Sequence, residues 1–126
     1  MLFDSAFLIH VSGQRGKKPQ AAAENFLRAH LDRPLYTSRV CWAEFAEGCL
    51  APADVAAALH LFTVVEIDEN IAWTASRIAR ELKPAGQHIG DNDIWIAATA
   101  VAHSLPLVSR NVRHFSRVAQ LQVVSY

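Results

Sequence analysis

Short apolar runs alternate with longer amphipathic stretches along this chain, the pattern of strands feeding helices. Leu2-Phe3-Asp4 reads as a short buried strand, followed by the apolar start of a helix through about His10. Ser12 to Pro19, with Gly13, Gly16 and two lysines, reads as a basic loop. Ala23, Phe26, Leu27 and Ala29 fit a helix from Gln20 to Leu31, closed before Pro34. Leu35-Tyr36-Thr37 is a second strand, after which Ser38 caps a helix to Gly48, a glycine suited to a helix end. Pro52 suits the first turn of a helix to about Phe62, and Thr63 to Ile67 is strand-like. Asp68 caps a helix that lines up Ile71, Ala72, Ala75, Ile78, Ala79 and Leu82 before Pro84. Gly86 to Gly90 is a loop. Asp91 or Asn92 opens another helix, with Ile94, Ala97, Ala98 and Val101 spaced for burial. Leu105 to Ser109 is a strand, Asn111 to Phe115 a short helix, and Leu121 to Val124 a last strand.

Strands alternating with helices imply a mainly parallel central sheet covered on both faces, a three-layer α/β/α domain. With no internal repeat or linker, residues 1–126 are expected to form one domain. Open sheets of this class place their sites outside the carboxyl ends of the strands, near the point where strand order reverses. Asp4, Ser109 and Asn111 fall at such ends, and Asp93 falls at a helix start, where its charge suits the dipole.

Composition narrows the class further. A chain of 126 residues with a hydrophobic fraction of 52% supports a single core. No apolar run approaches the roughly 20 residues needed to span a bilayer. Met1-Leu2-Phe3-Asp4 meets a carboxylate too early for a secretory leader, so a cytoplasmic protein is expected. Lys plus Arg and Asp plus Glu number 12 each, so bulk charge does not announce a nucleic-acid binder. Its distribution says more. No acid follows Asp93, whereas Arg110, Arg113, His114 and Arg117 do, and Arg15, Lys17 and Lys18 form a second basic cluster. Either could hold phosphates, and either could be an ordinary solvated surface.

Cys41 and Cys49 are the only cysteines. Eight residues apart on one helix, they would lie about 12 Å apart, beyond the roughly 7 Å a disulfide tolerates. Buried free thiols are expected. The six histidines have no zinc-site spacing, and two cysteines cannot complete a thiolate cage.

The remaining candidates are acids. Asp4 lies inside an apolar run, where a carboxylate must be capped, paired or metal-bound because burying it alone is costly. Its plain structural alternative is a cap for the helix from Ser5. Cys41, Trp42, Phe45, Ala46 and Cys49 make the apolar stripe of their helix and leave Glu44 and Glu47 together on the other side. Periodicity does not choose between those two. Asp91 and Asp93 flank a helix start, one as cap and the other as a first-turn acid, or with Asp93 facing a metal and Asp91 an outer ligand. Converging carboxylates suit Mg²⁺ or Mn²⁺, and such ions suit phosphodiester chemistry. Trp42, Trp73 and Trp95 have helical apolar spacing and are read as core rather than as base-stacking platforms.

In their order these motifs resemble the PIN-domain ribonucleases of the VapC toxin type. The chain opens with Leu2-Phe3-Asp4-Ser5, continues with Ser38 and Glu44-Phe45-Ala46-Glu47-Gly48, and then shows Asp93-Ile94-Trp95-Ile96-Ala97-Ala98. It closes with Leu107-Val108-Ser109-Arg110-Asn111, Phe115 and Leu121-Gln122-Val123. Each motif is weak alone, and together they cover nearly the whole chain.

The resemblance implies a PIN-like fold in which Asp4, Glu44 and Asp93 bind the metal and carry catalysis, favouring Glu44 over Glu47. Ser5, Asp91, Ser109 and Asn111 become outer-shell or second-metal candidates. Arg15, Lys17, Lys18, Arg110 and Arg113 become candidates for the RNA backbone. It implies a Mg²⁺- or Mn²⁺-dependent endoribonuclease in which a metal-activated water cuts RNA to leave a 3′-hydroxyl and a 5′-phosphate. It also implies a homodimer with a cognate VapB-like antitoxin, in a heterotetramer or larger assembly, and no membrane. Two departures stand out. Asn111 occupies the family's fourth acidic position, a poorer cation ligand, and Ser109 replaces the commoner threonine while keeping the hydroxyl.

Two other classes compete. A PIN-like module could bind RNA or a partner without cutting, and Asn111 is its best support. A phosphoryl-accepting α/β domain would want a lysine at a late strand end, but no lysine lies beyond Lys83. No glycine-rich phosphate loop appears either.

Overall fold

The computed structural model describes all of residues 1–126. Five short strands, β1 (Leu2–Phe3), β2 (Tyr36–Ser38), β3 (Thr63–Val65), β4 (Leu107–Val108) and β5 (Val123–Val124), form one sheet in the order β3-β2-β1-β4-β5. Every neighbouring pair is parallel. The helices are α1 (Ser5–Val11), α2 (Lys17–Arg28), α3 (Arg39–Ala46), α4 (Pro52–Ala58), α5 (Glu69–Leu82), α6 (Asp91–Ala102) and α7 (Val112–Phe115). The chain builds outward from β1 to β3, then returns through α5 and α6 to lay β4 on the opposite side of β1. Parallel crossovers are right-handed, so this reversal puts α1–α4 on one face and α5–α7 on the other. The expected three-layer α/β/α fold is present.

Burial explains the strand order. Leu2 and Phe3 of β1, and Leu107 and Val108 of β4, are fully buried, as central parallel strands covered on both faces must be. On one face Phe3 meets Phe7 at 4.6 Å and Phe62 at 5.4 Å between ring centroids, with Phe26 edge-on at 6.2 Å. On the other, Ile71, Ala75, Ile78 and Leu82 of α5 form the stripe predicted from spacing. Helix α6 is buried more completely than expected, with Ile96, Thr99 and Ala100 inside as well as Ile94, Ala97 and Ala98. No helix is long and apolar enough to cross a membrane.

Local chemistry fixes the helix starts. Asp4, Ser38 and Asp68 each accept a bond from the third N–H onward, from Phe7, Cys41 and Ile71. Pro52 opens α4 as foreseen. Several boundaries differ. Lys17 and Lys18 lie in the first turn of α2 rather than in a loop, because Gly16, at φ 92°, turns the chain into the helix first. Helix α4 ends at Ala58 rather than near Phe62, and β5 is confined to Val123–Val124. Helix α6 opens at Asp91 as expected, but neither Asp91 nor Asp93 is its cap. Gly90, at φ 95°, holds that position and puts Asp91 and Asp93 both in the first turn.

Candidate functional site

The central strand delivers Asp4 to the carboxyl edge of the sheet, beside β4, where strand order reverses. Its N–H donates to Val108 O at 3.2 Å, and its Oδ1 accepts from Phe7 N–H at 2.8 Å. Asp4 is therefore a helix cap and a site residue at once. It is 5% exposed and meets no lysine or arginine in an ion pair. Burial pushes its carboxyl up to about 6, while hydrogen bonding from Ser109 and from Phe7 N–H pulls it down. The charges of Asp93 and Glu44 push it up further. Asp93, in the first turn of α6, is also raised, first by burial and then, against the pull of His114, by Glu44.

Glu44 projects from α3 and is half-buried, whereas Glu47 is exposed. Asn92 donates its side-chain amide to Glu44 Oε1 at 3.1 Å. His114 Nδ1 lies 3.8 Å from Asp93 Oδ2 and accepts from the Asn111 amide at 2.8 Å. Ser109 is fully buried, and its Oγ accepts from Asn111 N at 3.0 Å, which shapes the turn leaving β4. Ser5 opens α1 beside Asp4. Asp91, in the same first turn as Asp93, is exposed, with its Oδ1 3.6 Å from His88 Nε2. Arg110 and Arg113 are exposed on the late turn, and Arg15, Lys17 and Lys18 are exposed at the α1–α2 junction.

Sequence reasoning missed three contributors. His114 was grouped with the arginines, yet its i, i+3 relation to Asn111 is a usable signal on a short helix. Asn92 lies between two aspartates, and no local pattern marks its bond to Glu44 across 48 positions. Tyr126 carried no signal at all, and its phenol is also pushed up, by burial and then by the charge of Asp4.

Three carboxylates with no lysine or arginine paired to them form an all-oxygen donor set, the chemistry that fits a hard divalent cation. The side chains are not closed into a cage: no three of the His, Cys, Asp and Glu groups stand in metal-holding geometry. Glu44 is tethered to Asn92, and Asp93 lies with His114.

An open parallel sheet with a buried aspartate at its switch point defines an α/β protein. The chain belongs to the PIN domain family, which it matches over residues 1–121. It is similar to Ribonuclease VapC1 of Haemophilus influenzae strain R2866, 25% identical over 128 residues that cover 96% of this chain and 93% of that protein. Ribonuclease VapC1 of Methanocaldococcus jannaschii is 41% identical over 67 residues, 53% of this chain; the match spans about half of that relative, 49%. Among solved structures, VapBC2 from Rickettsia felis bound to a DNA fragment from their promoter superimposes with a TM-score of 0.83 at 18% identity, covering 98% and 96% of the two chains. VapBC-1 from nontypeable Haemophilus influenzae gives 0.80 at 25% identity, with the same coverage, 98% and 96%.

Proposed function

We propose that this protein is a Mg²⁺- or Mn²⁺-dependent endoribonuclease, the toxin of a toxin–antitoxin pair. The observation that carries the reading is the buried Asp4 carboxylate, unpaired by any cationic side chain and sharing its site with Glu44 and Asp93. Likeness to proteins named ribonuclease VapC supports the activity. Likeness to VapBC assemblies supports an antitoxin partner. Homodimerisation is part of the same reading.

Asp4, Glu44 and Asp93 would hold the metal, which when bound supplies a water of lowered pKa and stabilises charge on the leaving oxygen. The remaining work falls to the chain. Phe7 N–H orients Asp4, Asn92 orients Glu44, and His114 stands beside Asp93. Arg110, Arg113 and the Arg15–Lys18 segment offer exposed cations for backbone phosphates, giving salt-dependent affinity with little sequence choice. Asp4→Asn and Asp93→Asn, compared with the parent at matched metal and salt, test the assignment. Folded variants that still cleave RNA would sink it. Asn111 at the fourth position and the open arrangement of acids favour one competing reading, a module that binds RNA or a partner without cutting. Such a module would shift RNA mobility and yield no product.

A further inference from the structure

Past β5 the chain carries Tyr126 back over α1, where an aromatic seat holds it. Its ring meets Phe7 edge-on at 4.7 Å and Phe26 at 6.2 Å. Its hydroxyl pairs with His10 Nδ1 at 2.7 Å. Two hydrophobic rings and one hydrogen bond fix the side chain in place. Arg110 rests on this platform, its guanidinium carbon 4.8 Å from the Tyr126 ring centroid and its Nε donating to the Tyr126 main-chain oxygen at 3.4 Å. Arg110 directly follows Ser109 at the turn leaving β4, and because Phe3 pairs with Val108, Asp4 and Ser109 leave neighbouring strands side by side at that edge of the sheet. No aspartate or glutamate side chain pairs with it. An arginine stacked on an aromatic face keeps its outer N–H groups available for an anion.

We propose that Tyr126, locked by His10, is a positioning residue that holds Arg110 ready to receive a backbone phosphate of the RNA strand entering the acidic site. The proposal rests on the RNA reading above and names the group that prepares one phosphate contact. A free arginine loses side-chain entropy when it binds a phosphate. A stacked one has lost much of that freedom already.

The test is binding of a fluorescently labelled single-stranded RNA, followed by anisotropy with Mg²⁺ at one fixed salt concentration. All proteins carry Asp93→Asn, so that the strand stays intact. Arg110→Ala should weaken binding about tenfold, the scale of one hydrogen-bonded charged contact. Tyr126→Leu should weaken it about threefold to tenfold, and Tyr126→Phe, which keeps the ring beneath the guanidinium, should restore most of the loss. Combining Tyr126→Leu with Arg110→Ala should weaken binding no more than Arg110→Ala alone. Melting curves confirm that each variant is folded. An equal Tyr126→Leu penalty with and without Arg110, or no penalty at all, would overturn the positioning role. Absence of binding both by the Asp93→Asn parent and by the unsubstituted protein would instead overturn the RNA reading on which it rests.

Discussion

Asn92 donates its side-chain amide to the Glu44 carboxylate at 3.1 Å, tying the first turn of α6 to α3 across 48 positions of sequence. The bond decides which carboxylate oxygen of Glu44 remains for a cation, and it links two walls of the acidic site. Partners of metal ligands commonly contribute tenfold to a hundredfold in affinity. Because Asn92 is exposed, the lower end applies. Asn92→Ala should lower Mn²⁺ affinity about tenfold by calorimetric titration. Unchanged affinity would show that Glu44 needs no tether.

Asp4 makes the metal-free fold less stable as pH rises. Its carboxyl titrates near 6 when folded and near its usual 3.8 when unfolded. Between those values the folded protein keeps a proton that the unfolded chain has released, so the stabilising contribution present at low pH is lost as pH rises through about 6. Asp93 is displaced in the same direction. Asp4→Asn should therefore stabilise the metal-free protein at pH 7.5 by about 2–3 kcal/mol and have little effect at pH 4. Urea unfolding at both values checks this. A destabilised Asp4→Asn protein at pH 7.5 would contradict it.

The two thiols should differ sharply in reactivity. Cys41 is fully buried, and that burial pushes its thiol up to about 12, whereas Cys49 is partly exposed. The thiolate is the reactive form. Native protein at pH 8 should therefore release one equivalent quickly to a disulfide reagent, and the second only on unfolding. Two fast equivalents would contradict the packing around Cys41.

Trp73 corrects the core reading of the three tryptophans. It is 62% exposed, with the Arg77 guanidinium 4.3 Å from its ring centroid. Trp42 and Trp95 do pack against the core. Trp73→Ala should change stability by less than about 1 kcal/mol and remove most of the acrylamide-quenchable fluorescence. Quenching unchanged by the substitution would place Trp73 indoors.

What the sequence revealed and what it hid have physical causes. Caps and stripes are local, so Ser38, Asp68 and the Ile71–Leu82 face could be read directly. The same periodicity should have excluded Trp73, which stands about 200° around the helix from Ile71. Strand lengths were overestimated because apolar character continues past the hydrogen-bonded ladder. Leu105 and Leu121 pack against the core outside it. Gly48 follows α3 as expected, but its φ is not positive, so the turn does not use glycine's freedom. Contacts between distant segments were invisible. Nothing local pairs His10 with Tyr126 across 116 positions, or Asn92 with Glu44. Asp4, Glu44 and Asp93 could be listed as candidates from motif order, but the sheet order that sets Asp4 beside β4 is non-local.

The most direct test is cleavage of total RNA by the purified protein with Mg²⁺, with Mn²⁺ and with EDTA, alongside Asp93→Asn. Products that require the divalent ion and disappear in the folded variant are the expected result, and mapping their ends would identify the target. Equal cleavage in EDTA, or by Asp93→Asn, would contradict a metal-dependent nuclease built on Asp4, Glu44 and Asp93.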